Sequence, residues 1–337
     1  METTPRKPDR QTLFLVIALI CGTTAAAFLW LRGDPGVVQA ERTRTRGTNP
    51  FDGERAYQHL LSICSFGPRV SGSPGMQAQQ DYLARHFEEL GGKVSWQRWT
   101  VRHPQTGEPV PLVNMIVEWH PERTERVLLC AHYDTRPYPD QDPDPARRRD
   151  PFLGANDGAS GCAVLAEMAE HMSSFDSQVG VDFVLFDAEE LVYDDERDDY
   201  FLGSTYFAQN YVQNPPAHRY RWGVLLDMVG DANLQIYQEV NSVRWRDTRP
   251  LVNAIWRTAR RIGIREFIPQ KRYEIRDDHL PLRNIAKIPT CDIIDFDYGP
   301  TSRGNPYWHT TQDTPDKCSG ESLGKVGWVV LEWLSSL

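Results

Sequence analysis

Short apolar runs alternate with helical segments along this chain, and this alternation constrains the fold more than any other feature. The apolar runs span 127–131, 181–186, 222–226 and 288–294. The helical segments between and after them span 159–172, 204–212 and 250–262. Short strands that are apolar throughout are typical of a parallel sheet covered on both faces. The pattern predicts an α/β fold: one domain with a mixed, mostly parallel, twisted central sheet and helices on both faces.

Two helices and two strands precede these runs. A helix is predicted near 53–64, and a second begins after Ser73, which suits the N-cap position, and ends at Gly91-Gly92. Alternating residues at 94–101 and the run 112–119 predict two strands. We therefore expect residues 51–337 to form the catalytic domain, and residues 32–50, rich in Arg, Thr and Gly, to form a linker.

The N-terminal residues 1–31 have the composition of a targeting segment. Arg6, Lys7 and Arg10 precede an apolar stretch that extends to Leu31. Its length favours an uncleaved signal anchor over residues 12–31, with the N-terminus in the cytoplasm. A cleaved signal peptide is the alternative, with a small-x-small site at 38–40. Both interpretations place the body outside the cytoplasm (periplasmic, secreted or lumenal), in contact with a membrane only through this segment.

Charge and cysteine content exclude other classes of partner and cofactor. The net charge is -9 and no basic stripe with interleaved aromatic residues is present, which argues against a nucleic-acid partner. The six cysteines form no CxxC pair, so a cysteine zinc site is not expected.

Metal-ligand side chains follow the apolar runs. His132 directly follows the first run, Glu189 and Glu190 follow the second, and Asp227 directly follows the third. Asp157 directly precedes a helix, and His309 lies in a loop after the last run. Each alone could be an ordinary cap, turn or surface residue. Parallel strands, however, bring their carboxyl ends to one edge, where ligands bind. Oxygen and imidazole donors without thiolates then favour zinc in an open, catalytic site.

The adjacent acids Glu189 and Glu190 are the sharpest signal, because two neighbouring carboxylates repel each other. A shared dication would offset that repulsion. One carboxylate can then ligate the metal while the other remains free as a general acid or base.

At these residues the chain resembles the zinc aminopeptidase superfamily and, within it, the glutaminyl cyclases. The resemblance covers nearly all of residues 54–337. It rests on motifs in family order: "PRVSGSPGMQAQQDYL", "CAHYDTRP", "FLGANDGASGCAVLAEMA", "VLFDAEE", "FLGSTYFA", "LLDMVGD", "RDDHLPL" and "YWHTTQDT". "RDDHLPL", the Trp308-His309 pair and the insertion between "EE" and "LGS" are the features more specific to cyclases.

The resemblance implies a role for each matching residue. The metal ligands would be Asp157, Glu190 and His309, with His132 and Asp227 as candidates for a second metal. The catalytic residues would be the proton shuttle Glu189 and the acidic neighbours Asp227 and Asp277. The substrate pocket would involve Trp308 and Ile275, with His279 supporting the same loop. The resemblance implies one Zn²⁺ ion, with two as the alternative, and a peptide or protein substrate with N-terminal glutamine that is converted to pyroglutamate with release of ammonia. We expect a monomer.

Alternatives remain open at this stage. The main one is a di-zinc aminopeptidase, in which Glu189 activates water to hydrolyse a peptide bond. A second is a receptor-like binding domain without catalysis. The acidic insertion 191–200 is either a solvated loop or a weak calcium site. Related animal enzymes have a disulfide here, which would pair Cys130 with Cys162, although Cys130 is one residue out of register and should point to the other face of its strand.

Overall fold

The computed structural model describes residues 49–301 and 303–337. Its helices are α1 (Gly53–Ser65), α2 (Pro74–Glu89), α3 (Ala159–Met172), α4 (Leu202–Gln213), α5 (Val240–Arg244), α6 (Arg249–Ile262), α7 (His279–Asn284) and α8 (Gly320–Leu334). Its strands are β1 (Lys93–Arg102), β2 (Pro109–Trp119), β3 (Glu125–His132), β4 (Gly180–Phe186), β5 (Arg219–Asp227), β6 (Ile236–Gln238), β7 (Phe267–Lys271) and β8 (Thr290–Ile294). The predicted anchor, cleavage site and most of the linker lie outside the described residues. Within the described part of the chain, no helix is long and apolar enough to cross a membrane.

The central sheet has six strands in the order β1-β2-β4-β3-β5-β8. The pairs β4/β3, β3/β5 and β5/β8 are parallel, and β1/β2 and β2/β4 are antiparallel. The predicted mixed, mostly parallel α/β fold is confirmed. The parallel strands point their carboxyl ends to the same edge, which is why residues that follow them can meet.

Helices cover both faces of this sheet. Buried residues of α1, α2, α3, α6 and α8 form the larger core on one face, and α4 and α7 pack on the other. Successive side chains of β3 point to opposite faces of the sheet and therefore pack in different cores. Leu129 belongs to the larger core, and Leu128 and Cys130 belong to the smaller one. Burying both faces explains why the central strands read as continuous apolar runs.

Local signals placed several element boundaries correctly. The Ser73 side chain accepts a hydrogen bond from the backbone N–H of Met76, so it caps α2 as predicted. Helix α3 has the predicted bounds. Strand β8 begins at Thr290 rather than at 288, because Pro289 has no N–H for the ladder.

The structure contains no disulfide between Cys130 and Cys162, the pairing that the resemblance left open. Both thiols are free and buried. Cys130 packs in the core on one face of the sheet and Cys162 in the core on the other. The register argument anticipated this outcome, because a shift of one residue on a strand moves a side chain to the opposite face.

Candidate functional site

The carboxyl ends of the parallel strands converge on a cavity of about 410 Å³. Acids at its base include Asp157, Glu189, Glu190, Asp227 and Asp277, together with His309. Its apolar wall comprises Met228, Ile275, Ile294, Phe296 and Trp308. The Trp308 and His309 rings stack with their centroids 3.7 Å apart. The structure therefore brings almost all of the predicted site residues into one cavity.

Two predicted residues lie next to the cavity rather than on its surface. His132, at the end of β3, lies behind Asp157 and is 1 % exposed. His279, the first residue of α7, is fully buried. Its Nε2 lies 3.6 Å from Glu239 and its Nδ1 3.8 Å from Asp292. Neither ring nitrogen has a hydrogen-bond partner, and the ring lies in a buried cluster with Asp277 and Asp292.

Asp157, Glu190 and His309 form a compact triad of donor atoms. His309 Nε2 lies 3.2 Å from Glu190 Oε2 and 3.5 Å from Asp157 Oδ2. All three side chains are buried, and Asp157 Oδ2 has no hydrogen-bond partner. Two carboxylate oxygens and one imidazole nitrogen, open to a cavity, match the donor set of a catalytic zinc site. These residues can therefore hold a divalent metal.

A second triad shares Asp157. His132 Nε2 lies 3.1 Å from Asp157 Oδ1 and 3.2 Å from Asp227 Oδ1. The two oxygens of Asp157 thus face two different imidazoles. Asp157 could bridge two ions, and substitution of this residue would affect both triads.

The electrostatics of the acids also favour a cation. Burial first, and the Asp157 charge second, raise the pKa of Glu190 to about 7. Burial raises the pKa of Glu189 well above its usual range, and the neighbouring Glu190 charge adds to this, although His132 opposes it. A dication between these groups reverses the sign of the local field and favours their ionised forms.

Buried carboxylates that are not candidate ligands hold the ligand loops in place. Asp134 accepts the backbone N–H groups of Glu189 at 3.0 Å and Glu190 at 3.1 Å. Asp313 does the same for Asn156 at 2.8 Å and Asp157 at 3.1 Å. The sequence alone does not predict these supporting roles of Asp134 and Asp313. Their proximity to His132 and His309 in "HYD" and "HTTQD" was the available signal.

Asp187, the first acid after β4, also has a structural role. It accepts hydrogen bonds from the Ser71 hydroxyl at 2.7 Å and the Val113 N–H at 2.8 Å. The acids that end the apolar run therefore divide their roles: Asp187 ties β4 to β2, while Glu189 and Glu190 face the cavity.

Left-handed backbone conformations cluster at the site. Ala188, Met228 and His309 have φ values of 55°, 49° and 53°. Such conformations cost free energy for non-glycine residues and persist where surrounding contacts enforce them, often at functional sites. His309 adopts this left-handed conformation directly after Trp308, and its imidazole faces the other two residues of the triad, Asp157 and Glu190.

Gly158 follows Asp157 with φ of 86°, and a Cβ there would lie 2.7 Å from the backbone oxygen of Asp134. We expect Gly158→Ala to destabilise the fold by about 1–3 kcal/mol more than Gly67→Ala, through overpacking. Gly67 is the matched control because its φ is 76° and a Cβ there would contact nothing within 4 Å. Urea unfolding of both variants measures the difference, and equal losses would show that the close approach to Asp134 is unimportant.

Comparison with known proteins places the chain in a family. Residues 114–334 match the model of peptidase family M28. Glutaminyl-peptide cyclotransferase of Bothrops jararaca is 26 % identical over an alignment of 307 residues, and the match covers 79 % of this chain and 78 % of that protein. The crystal structure of Fimbriiglobus ruber glutaminyl cyclase has a TM-score of 0.80 and 40 % identity, and covers 86 % of this chain and 97 % of that one.

Exopeptidases share the fold at a similar level. A Zn-dependent exopeptidase from Parabacteroides distasonis has a TM-score of 0.78 and 35 % identity, covering 86 % of this chain and all of that one (100 %). The chain belongs to peptidase family M28, with the zinc aminopeptidase-like fold that bacterial glutaminyl cyclases also have.

Proposed function

We propose that this protein is a zinc-dependent glutaminyl-peptide cyclotransferase that converts N-terminal glutamine of peptides or proteins to pyroglutamate and releases ammonia. The observation that carries the proposal is the composition of the cavity: two acids outside the first triad, Glu189 and Asp277, line the same cavity as that triad and Trp308. The similarity to Fimbriiglobus ruber glutaminyl cyclase over 86 % of the chain supports it.

The reaction forms one bond and breaks another within a single substrate residue. The α-nitrogen of the N-terminal glutamine attacks its own side-chain amide carbon, the C–N bond to the amide nitrogen breaks, and ammonia departs. Zinc held by Asp157, Glu190 and His309 would polarise the side-chain carbonyl. Because the attack is intramolecular, the protein needs mainly to hold the bent conformer.

In this proposal Glu189 moves the proton. It would take a proton from the attacking α-nitrogen and give it to the departing amide nitrogen. Glu189 lines the cavity and is not one of the three proposed ligands, so its carboxylate is free to hold the proton between the two steps. The net reaction consumes no water and needs no redox partner.

Asp277 and Asp227 would form the acidic network around this step. Both are buried and line the cavity, and burial raises the pKa of Asp277 well above its usual range, with Asp227 as the next cause. A carboxylate here can accept a hydrogen bond from an N–H of the substrate amide and so orient the amide. Ile275 and Trp308 would enclose the aliphatic part of the glutamine side chain. His279 would act through the loop that carries Asp277.

We propose one resident zinc, in the Asp157–Glu190–His309 triad. The triad formed by His132, Asp157 and Asp227 has the same kind of donors and is the candidate for a second ion. Metal analysis of the purified protein distinguishes the two states. About one zinc per chain supports the proposal, and about two would favour the di-zinc alternative.

A paired assay separates cyclisation from the exopeptidase alternative. We expect a glutamine-initiated peptide to lose the mass of ammonia without becoming shorter, and leucine amide to remain intact. The reason is that the substrate's own amine, rather than water, would attack. Release of free leucine, or shortening of the glutamine peptide, would instead show that Glu189 activates water. A receptor-like domain would do neither and would contain no stoichiometric zinc.

We also propose that the catalytic body acts outside the cytoplasm as a monomer. The proposed location rests on the basic and apolar composition of residues 1–31, which lie outside the described residues. Cell fractionation with an antibody against the catalytic body tests the location. Light scattering of the purified protein tests the monomeric state.

A further inference from the structure

The acidic insertion that follows Glu190 contacts the metal triad through one arginine. Arg136 lies four residues after His132 and is only 2 % exposed. Its side chain reaches Asp195 and, at 3.3 Å, the Tyr200 hydroxyl, both in the insertion. Its Nε also donates to Asp140 Oδ1 at 2.6 Å. A buried guanidinium with this many acceptors has a fixed position.

Arg136 contacts the proposed ligand Glu190 directly and the proposed ligand His309 through Asp140. The Arg136 backbone N–H donates to Glu190 Oε1 at 2.7 Å, which leaves Oε2 facing His309. Asp140, held by the Arg136 side chain, lies 3.3 Å from His309 Nδ1 through Oδ1. His309 Nε2 points in the other direction, to Glu190 and Asp157. Asp140 therefore faces the ring nitrogen that the metal triad does not use.

We propose that Asp140 and Arg136 are positioning residues that orient His309 and Glu190 for zinc, and that Asp195 and Tyr200 brace them from the insertion. The inference rests on the proposed zinc site. A metal-binding histidine usually donates its other ring N–H to an oxygen, which sets the tautomer and the ring orientation. The Nδ1–Oδ1 distance is slightly beyond the usual hydrogen-bond range, so a small ring adjustment suffices to form that bond.

Two further acids of the insertion, Asp194 and Asp198, have partners within it. Asp198 Oδ2 accepts the backbone N–H groups of Tyr193 at 2.8 Å and Asp194 at 2.9 Å. Asp194 pairs with Arg197. These contacts close the insertion on itself. Among the residues that the structure describes, no group of candidate metal ligands lies in the insertion. The geometry thus points to a brace for Arg136 rather than to the calcium site considered from the sequence.

Zinc affinity tests the inference directly, measured by competition with a chromophoric chelator on the full-length protein. We expect Asp140→Ala to weaken zinc binding by about 10- to 100-fold, the usual effect of losing such a partner. Asp140→Asn keeps an acceptor oxygen and should recover part of the loss. Asp150→Ala is the matched control, since the Asp150 side chain, in the same loop, is 46 % exposed and pairs with Arg147.

Asp195→Ala provides a second variant that leaves the buried part of the network intact, because the Asp195 side chain is 53 % exposed. It should weaken zinc binding by less than Asp140→Ala but more than the control. Wild-type affinity in both Asp140→Ala and Asp195→Ala would overturn the inference. If both variants bind zinc with wild-type affinity and the wild-type protein binds zinc and cyclises glutamine peptides, the proposed function stands and only the positioning role is refuted. A wild-type protein that binds no zinc would overturn both.

Discussion

Glu189→Gln is expected to lower kcat for cyclisation by about 100- to 10,000-fold, the usual contribution of a positioned general acid–base. Glutamine has nearly the same shape as glutamate but cannot carry the proton from the α-nitrogen to the departing amide nitrogen. Glu189 is not one of the three proposed ligands, so zinc content and thermal stability should stay close to wild type. The measurement is ammonia release from a glutamine-initiated peptide under saturating conditions, alongside metal analysis.

Glu274→Gln is the matched control for this substitution. Glu274 also lines the cavity, but it is exposed at the rim and pairs with Arg244. The same chemical change there should leave kcat near its wild-type value. Full activity in Glu189→Gln would refute the proton-transfer role, whereas loss of zinc in that variant would assign Glu189 to the ligand set instead.

Asp157→Asn should have the second largest effect, because Asp157 is the residue shared by both triads. Replacing one carboxylate oxygen with an amide nitrogen removes charge and one donor atom. We expect zinc affinity to fall by more than the roughly 100-fold that marks loss of a supporting residue, and cyclisation to fall with it. Adding zinc should also no longer raise the melting temperature of this variant, because a ligand stabilises the native state only to the extent that it binds to it.

His132→Gln distinguishes the two triads. It removes the imidazole of the second triad and leaves Glu190 and His309 untouched. With a single zinc in the first triad, this variant should keep about one zinc per chain and most of its zinc affinity. If it instead loses the metal as completely as Asp157→Asn, the resident ion lies in the second triad.

The position of the site was predictable because it depends on local signals. Each parallel strand ends where its apolar run ends, and His132 and Asp227 occupy those ends. Asp157 lies two residues before the first residue of helix α3. The topology rule for parallel sheets then brings these residues together without knowledge of the strand order.

The supporting shell was not predictable in the same way, because its contacts join residues far apart in the chain. Asp313 holds the backbone of Asn156 from 157 residues away, and Asp140 reaches the ring of His309. Neither contact has a local sequence pattern. Strands as short as β6 (Ile236–Gln238) are also too brief to show periodicity.

Product analysis in heavy-oxygen water tests the central claim most directly: the substrate's own amine, and not water, attacks the carbon. The wild-type protein is incubated with a glutamine-initiated peptide, and the product mass is measured. The account predicts a peptide of unchanged length that has lost ammonia and contains no heavy oxygen. Heavy oxygen in the product, whether in a released amino acid or in a glutamate at the N-terminus, would contradict it.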